Sequence, residues 1–321
     1  MQSFLVFSLF NSILHCNRKN KKRKRKLRRI LDDAELGEET KQKIEVERAR
    51  QEHLKSLQFS YNRCRNDETS TNIMEEGNTQ SGYIVNIARE ENEELVRIPP
   101  SISSKLKFHQ IEGIRFMWEN IIQSVKKARS GDKGLGCILA HTMGLGKTFQ
   151  VISFLYCAFR SIDLGLKTAI IVAPVNVLHN WKHEFLKWKP LDVKALRVYM
   201  LEDVLRDRRL HLLCKWKKKG GVLLIGYSSF RNIAFGKHVK DKITIRDMSC
   251  ALQEPDILIC DEAHMIKNTK ADITQALKQV KSQRRIALTG SPLQNNLMEY
   301  YCMVDFVREG FLGSSLEFRN R

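Results

Sequence analysis

The chain has 321 residues, 42% of them hydrophobic and 28% charged, and carries a formal net charge of +19. That length suits one large α/β domain plus a tail, at roughly 100–200 residues per domain, and the excess of cations fits a polyanionic partner. The eight cysteines, at 16, 64, 137, 157, 214, 250, 260 and 302, include no Cys-x-x-Cys pair, which argues against a disulfide framework or a zinc site and for a reducing compartment.

In chain order, Phe4 to Phe10 with Ile13-Leu14 form an apolar stretch that no basic residue precedes and no small-residue cleavage site follows. It is shorter than the ~18 residues a membrane span requires. We read it as a mis-set start or a fragment boundary, and expect no membrane partner. Residues 18 to 29 then hold ten basic and no acidic residues. A block so charged is expected to be disordered or weakly helical, and it suits a nuclear import signal, a DNA-contacting arm or a solvated tail. Leu31 to Leu57, rich in Ala, Glu, Lys and Arg with sparse apolar points, reads as a solvated helix that packs on the domain or on a partner. Residues 58 to 94 turn Asn/Ser/Thr/Glu-rich and read as a linker, and Pro99-Pro100 marks entry to the folded domain.

Within the domain, 106–126 suits a helix with Ile111, Ile114, Phe116, Met117, Ile121 and Ile122 on its apolar side. The apolar run Gly136 to Ala140 reads as a buried strand, followed by His141-Thr142-Met143-Gly144-Leu145-Gly146-Lys147-Thr148. A Gly-rich turn between a strand and a helix lets backbone N–H groups close round a phosphate at the helix N-terminus. Lys147 then places a compact cation on the β/γ-phosphates, and the Thr148 hydroxyl takes a position on Mg²⁺. His141 stands where the strict pattern has Gly. The helix over 148–159 follows, then short buried strands at 169–173, 222–225, 257–260 and 286–288, separated by helix-like stretches such as 201–219 and 270–280. This alternation predicts a doubly wound, mostly parallel sheet. Asp261 and Glu262 emerge at the carboxyl end of the 257–260 strand, where open α/β sheets bind ligands. An Asp there holds Mg²⁺, and the adjacent Glu orients or deprotonates an attacking water. ATP and Mg²⁺ are the expected cofactors, with Lys147, Asp261 and Glu262 catalytic and residues 141–148 on the nucleotide. Trp181, Trp188 and Trp216 read as core or helix-packing residues rather than base-stacking platforms. Lys215 and Lys217 to Lys219 suit either a solvated helix face or phosphate contacts.

Asp261-Glu262-Ala263-His264, a DEAH box, with Met143-Gly144-Leu145-Gly146-Lys147-Thr148 resembles the superfamily-two helicases, specifically the SWI/SNF-like chromatin-remodelling ATPases. Lys107 to Ile114 is similar to that family's adenine-reading segment, with Gln110 as the base contact. Leu288 to Asn296 resembles the segment that couples the nucleotide site to DNA movement through Thr289, Gly290 and Ser291. Ile170 to Pro174 with Asn180-Trp181 and Glu184-Phe185, and Leu224 to Tyr227 with Arg231-Asn232, resemble DNA-facing segments, which makes Pro174, Asn176, Tyr227 and Arg231 candidate DNA contacts. His141-Thr142 before the Met-Gly-Leu-Gly-Lys-Thr string, and the stretch Glu299 to Phe306, are similar to the ATRX branch in a plant-type form. The resemblance covers roughly 95 to 321 and, more loosely, 24 to 58. It implies a P-loop NTPase lobe of RecA-like fold over 95–321, preceded over 1–94 by a basic tail and linker. It also implies nuclear localisation, double-stranded DNA or nucleosomes as substrate, and histones or a histone chaperone as partners. These motors hydrolyse ATP between two lobes, and the expectation is that this chain holds only the first. A catalytically weak nucleotide- and DNA-binding module and a strand-separating helicase are the alternative expectations.

Overall fold

A computed structural model describes residues 36–67, 81–237, 241–290 and 297–320. The apolar stretch 4–14 and the basic run 18–29 lie outside the described residues.

Six strands form one sheet: β1 Cys137–Ala140, β2 Thr168–Ala173, β3 Val198–Met200, β4 Gly221–Gly226, β5 Ile257–Cys260 and β6 Arg285–Thr289. Their order across the sheet is β1-β6-β5-β2-β4-β3, and every pairing is parallel. All carboxyl ends therefore line one edge. The helices are α1 Glu38–Asp67, α2 Pro100–Ser103, α3 Phe108–Ile121, α4 Val125–Arg129, α5 Lys147–Arg160 and α6 Val175–Lys187. There follow α7 Arg209–Lys219, α8 Tyr227–Ala234, α9 Lys242–Gln253, α10 Asp272–Lys278, α11 Leu297–Val307 and α12 Ser315–Asn320.

The strand period of two divides the core. Leu139, Ile171, Leu224 and Ile259 face one side, where α3, α5 and α6 contribute Trp118, Phe154 and Trp181. Ile138, Ile170, Leu223 and Leu258 face the other, beneath Trp216 of α7, Phe230 of α8, Leu252 of α9 and Phe306 of α11. Truncating one of these buried indoles to Ala costs roughly 3–5 kcal/mol. Helix α5 is the central one, buried continuously from Phe149 to Ala158.

The helix expected over 106–126 breaks in two. Gln123 takes a left-handed φ of 64°, and the Ser124 hydroxyl caps the next helix by accepting from the Lys127 N–H at 3.3 Å. Residues 81–98, expected as linker in their greater part, pack on the domain. Val85 and Ile98 are buried, Ile84 bridges Arg97 antiparallel, and the Asn86 side chain bonds the Glu94 carbonyl at 2.7 Å and the Val96 N–H at 2.8 Å. The polar composition of this segment serves internal hydrogen bonds rather than solvation. Helix α1 is longer than its expected range and docks by charge. Glu47 and Arg308 form a 2.9 Å ion pair in which both side chains are only 6% exposed. Arg308 also donates to the Gly136 carbonyl and Asn120 Oδ1, while Arg50 donates to both Glu47 oxygens. Burial works against the Glu47 carboxylate, but the Arg50 hydrogen bonds and the Arg308 charge outweigh it and hold its pKa below the usual range.

Candidate nucleotide site

Four strands deliver the site's residues to the carboxyl edge of the sheet: β1 leads into the Gly-rich turn, β5 into Asp261, β6 into Thr289 and β2 into Pro174. Gly144 and Gly146 take φ of 85° and 76°, a region that favours glycine. A Cβ at Gly146 would meet Gln110 Nε2 at 2.4 Å, whereas Gly144 faces open space. The turn is thus tight against the protein on one side and open on the other. Thr142, Met143 and Gly144 are exposed.

Lys147 opens α5 and folds its ammonium back onto the turn, donating to the His141 carbonyl at 2.7 Å and the Thr142 carbonyl at 3.4 Å. Burial lowers its pKa, while the Asp261 and Glu262 charges act in the opposite sense. Thr148 is half-buried on the same first turn. His141 is buried, and its pKa is pushed down to about 4 by burial first and by the His109 and Lys147 charges after it. The imidazole is therefore neutral near pH 7, and Gln150 Nε2 stands 3.2 Å from its Nδ1.

Asp261 is buried and held from two directions, accepting from the Trp181 indole N–H at 2.8 Å and from the Glu262 N–H at 2.9 Å. Burial raises its pKa against those two donors. Glu262 takes a left-handed φ of 49°, a conformation costing a non-glycine residue on the order of 1 kcal/mol. Its carboxylate lies 3.0 Å from His264 Nδ1, without the geometry of a hydrogen bond. A Cβ at Gly290 would touch Met143 at 3.5 Å, which sets the residue after β6 against the turn. Thr289 is buried, and Ser291 lies outside the described residues.

Among the candidate DNA contacts, Pro174 precedes α6 and Asn176 is exposed on its first turn, and Arg231 is half-buried on α8. Tyr227 departs from expectation. It is buried in the core, and its hydroxyl donates to the Asp261 carbonyl at 2.7 Å, so it supports the carboxylate strand from beneath instead of facing outward. Sequence reasoning gave Trp181 as a packing residue within a segment resembling a DNA-facing one and did not foresee its bond to Asp261, and it did not single out Gln150 at all. Their partners lie in other elements, and the apolar pattern around them carries no sign of it.

Backbone cradle, cation, hydroxyl and fixed carboxylate form a hard-oxygen and N–H donor set suited to a nucleotide's phosphates with Mg²⁺. Residues 109–321 match the family model for the SNF2-related domain. The chain is 67% identical over 304 residues to Protein CHROMATIN REMODELING 20 of Arabidopsis thaliana, covering 92% of this chain and 21% of that protein. It is 40% identical over 309 residues to Transcriptional regulator ATRX of Homo sapiens, covering 94% and 12% respectively. It is also 40% identical over 277 residues to human Helicase ARIP4, covering 74% and 19%. The chain spans about a fifth of these relatives' length, or less.

Proposed function

The chain belongs to the SNF2-related family of helicase-like ATPase domains, and from that premise we propose that it is the nucleotide-binding first lobe of an ATP-driven motor acting on double-stranded DNA. The observation that carries this reading is the convergence of Lys147, Asp261 and Glu262, from strands β1 and β5, on one open Gly-rich turn at the head of α5. The N–H groups at that helix head and the positive end of its dipole favour a phosphate. Lys147, already drawn to two loop carbonyls, exchanges them for phosphate oxygens. Thr148 and Asp261 would hold Mg²⁺, which supplies charge neutralisation on the phosphate oxygens when bound. Trp181 keeps the Asp261 carboxylate aimed, and the Glu262 carboxylate would orient and deprotonate the attacking water. Gln110, whose amide here bonds the Lys107 N–H and the Leu145 carbonyl, would exchange one of these partners to read the base.

The finer assignments rest on relatives. Similarity to Protein CHROMATIN REMODELING 20 and Transcriptional regulator ATRX supports chromatin as the working substrate and the nucleus as the location; nucleosomes, with histones or a histone chaperone, are the partners that the resemblance of the motifs implies. Identity to the plant relative supports a plant-type member of the ATRX branch. Pro174, Asn176 and Arg231 take the DNA backbone, and Thr289, Gly290 and Ser291 couple it to the nucleotide. In a protein carrying both lobes, Glu262→Gln is expected to retain Mg-ATP binding and to lose hydrolysis by roughly 100-fold or more, read by equilibrium binding beside phosphate release. Unchanged turnover would remove Glu262 from the role. A chain that bound DNA equally with and without an intact Lys147 and never hydrolysed ATP in a two-lobed protein would instead be a binding module.

A further inference from the structure

We propose that Gln150 is a positioning residue of this site: with Gln110 it clamps the Leu145 carbonyl and thereby turns the Gly146 N–H outward for a nucleotide's phosphates. The inference rests on the reading of the turn as a phosphate cradle and adds the device that sets it.

Gln150 lies three residues beyond Lys147 on α5 and is 0% exposed. A primary amide so placed carries a desolvation cost of about 1–3 kcal/mol unless it is bonded. Its Nε2 donates to the Leu145 carbonyl at 3.2 Å. From α3, Gln110 Nε2 donates to the same oxygen at 3.3 Å, while its own Oε1 accepts from the Lys107 N–H at 3.0 Å. His109 Nε2 stands 3.4 Å from that oxygen as well. Side chains from two helices thus converge on one carbonyl of an otherwise exposed turn.

Two glycines make room for the two amides. A Cβ at Gly113 would lie 1.9 Å from Gln150 Oε1, and one at Gly146 would lie 2.4 Å from Gln110 Nε2. Gly113 sits within α3, where glycine costs about 1 kcal/mol relative to alanine, and the space it leaves is filled by Gln150. Gln150 Oε1 itself has no hydrogen-bond partner among the described residues, so the amide is held by its nitrogen. The Leu145 oxygen fixes which way the amide faces, because only the amide nitrogen can donate to it, and that nitrogen also stands 3.2 Å from His141 Nδ1.

The consequence follows from peptide planarity. In a trans peptide the C=O and the following N–H point in opposite directions. Drawing the Leu145 oxygen toward α3 and α5 sends the Gly146 N–H to the opposite, open side of the turn. Without the clamp the Leu145–Gly146 plane is free to rotate, and the cradle loses a preset donor.

The test uses the 321-residue chain and compares Mg-ADP with adenosine as probes, because only the first presents phosphates. Gln150→Met keeps an unbranched side chain of similar length and removes the donor. Mg-ADP affinity is expected to fall about tenfold, adenosine affinity to hold within twofold, and the melting temperature to stay within a few degrees. Gln150→Glu, which sets an acceptor against two acceptors, is expected to weaken Mg-ADP at least as much, and it carries the comparison if the Met variant does not fold. Parallel loss of ADP and adenosine affinity, or no loss of either, overturns the clamp. Lys147→Ala in the same assay separates the two levels. If it weakens Mg-ADP while the Gln150 variants do not, only the clamp falls, and if it too has no effect, the phosphate reading falls with it.

Discussion

His141 shows how a single residue adapts a common phosphate turn. Its backbone carbonyl holds Lys147 at 2.7 Å, and its ring, buried and neutral, stands 3.2 Å from the Gln150 amide nitrogen. A group whose native pKa is about 4 against an ordinary 6.5 stays unprotonated in the fold while the unfolded chain takes up a proton. Stability is therefore lost progressively as pH falls from about 6.5 to about 4, and this contribution is spent below that. His141→Gln removes the titration and leaves every other acid in place. Thermal melts at pH 7.5 and pH 4.5 are expected to show the wild type losing more than the variant over that interval, and parallel losses would show that His141 titrates normally. At this scale the sequence was legible wherever the chemistry is contiguous, as in the turn from His141 to Thr148 and the pair Asp261-Glu262. It was silent where function depends on a distant partner. Trp181 reaches Asp261 across 80 positions, and Tyr227 turns inward to the Asp261 carbonyl, while both carry the side chains of ordinary core residues.

Among the elements, the strands buried on both faces announced themselves as apolar runs, as parallel strands do. Strand β3, three residues at the sheet edge of which only Met200 is buried, has no such run, and the amphipathic α8 and α9 are short and broken by polar positions. Packing of α1 on the domain was among the expectations, but the means of docking was illegible, since it depends on a buried carboxylate rather than an apolar stripe. Glu47 lies between Arg50 and Arg308, and Arg308 in turn reaches the base of β1 through the Gly136 carbonyl. Breaking such a pair by removing one partner costs about 3–5 kcal/mol, because the other charge stays buried. Glu47→Ala is expected to release α1 before the sheet. Hydrogen exchange across residues 38–60 should accelerate by two or more orders of magnitude while the β5 amides keep their protection. Unchanged exchange in α1 would mean that the ion pair does not hold the helix.

The whole molecule joins a parallel sheet, whose carboxyl edge carries the candidate site, to a net charge of +19 that suits a polyanion. Part of that charge lies in residues 18–29, outside the described residues, where DNA contact and nuclear import are separable by measurement. If the run neutralises about five phosphates, deleting it reduces the slope of log K against log salt on duplex DNA by ~4.5, at ~0.9 per phosphate. An identical slope in both proteins would leave the import role alone. The fold class was readable from the alternation of strand and helix patterns, because a doubly wound sheet repeats one local rule. The packing of residues 81–98 was not, since its order comes from side-chain hydrogen bonds such as those of Asn86.

The central claim is that the turn after β1 binds the phosphates of Mg-ATP through Lys147. Calorimetric titration of Mg-ATP into the purified chain and into its Lys147→Ala variant tests it most directly. The account predicts one saturable site in the wild type and an affinity lower by roughly 10–100-fold in the variant, the range expected for hydrogen bonds to a charged group. Equal affinities in the two proteins would contradict it.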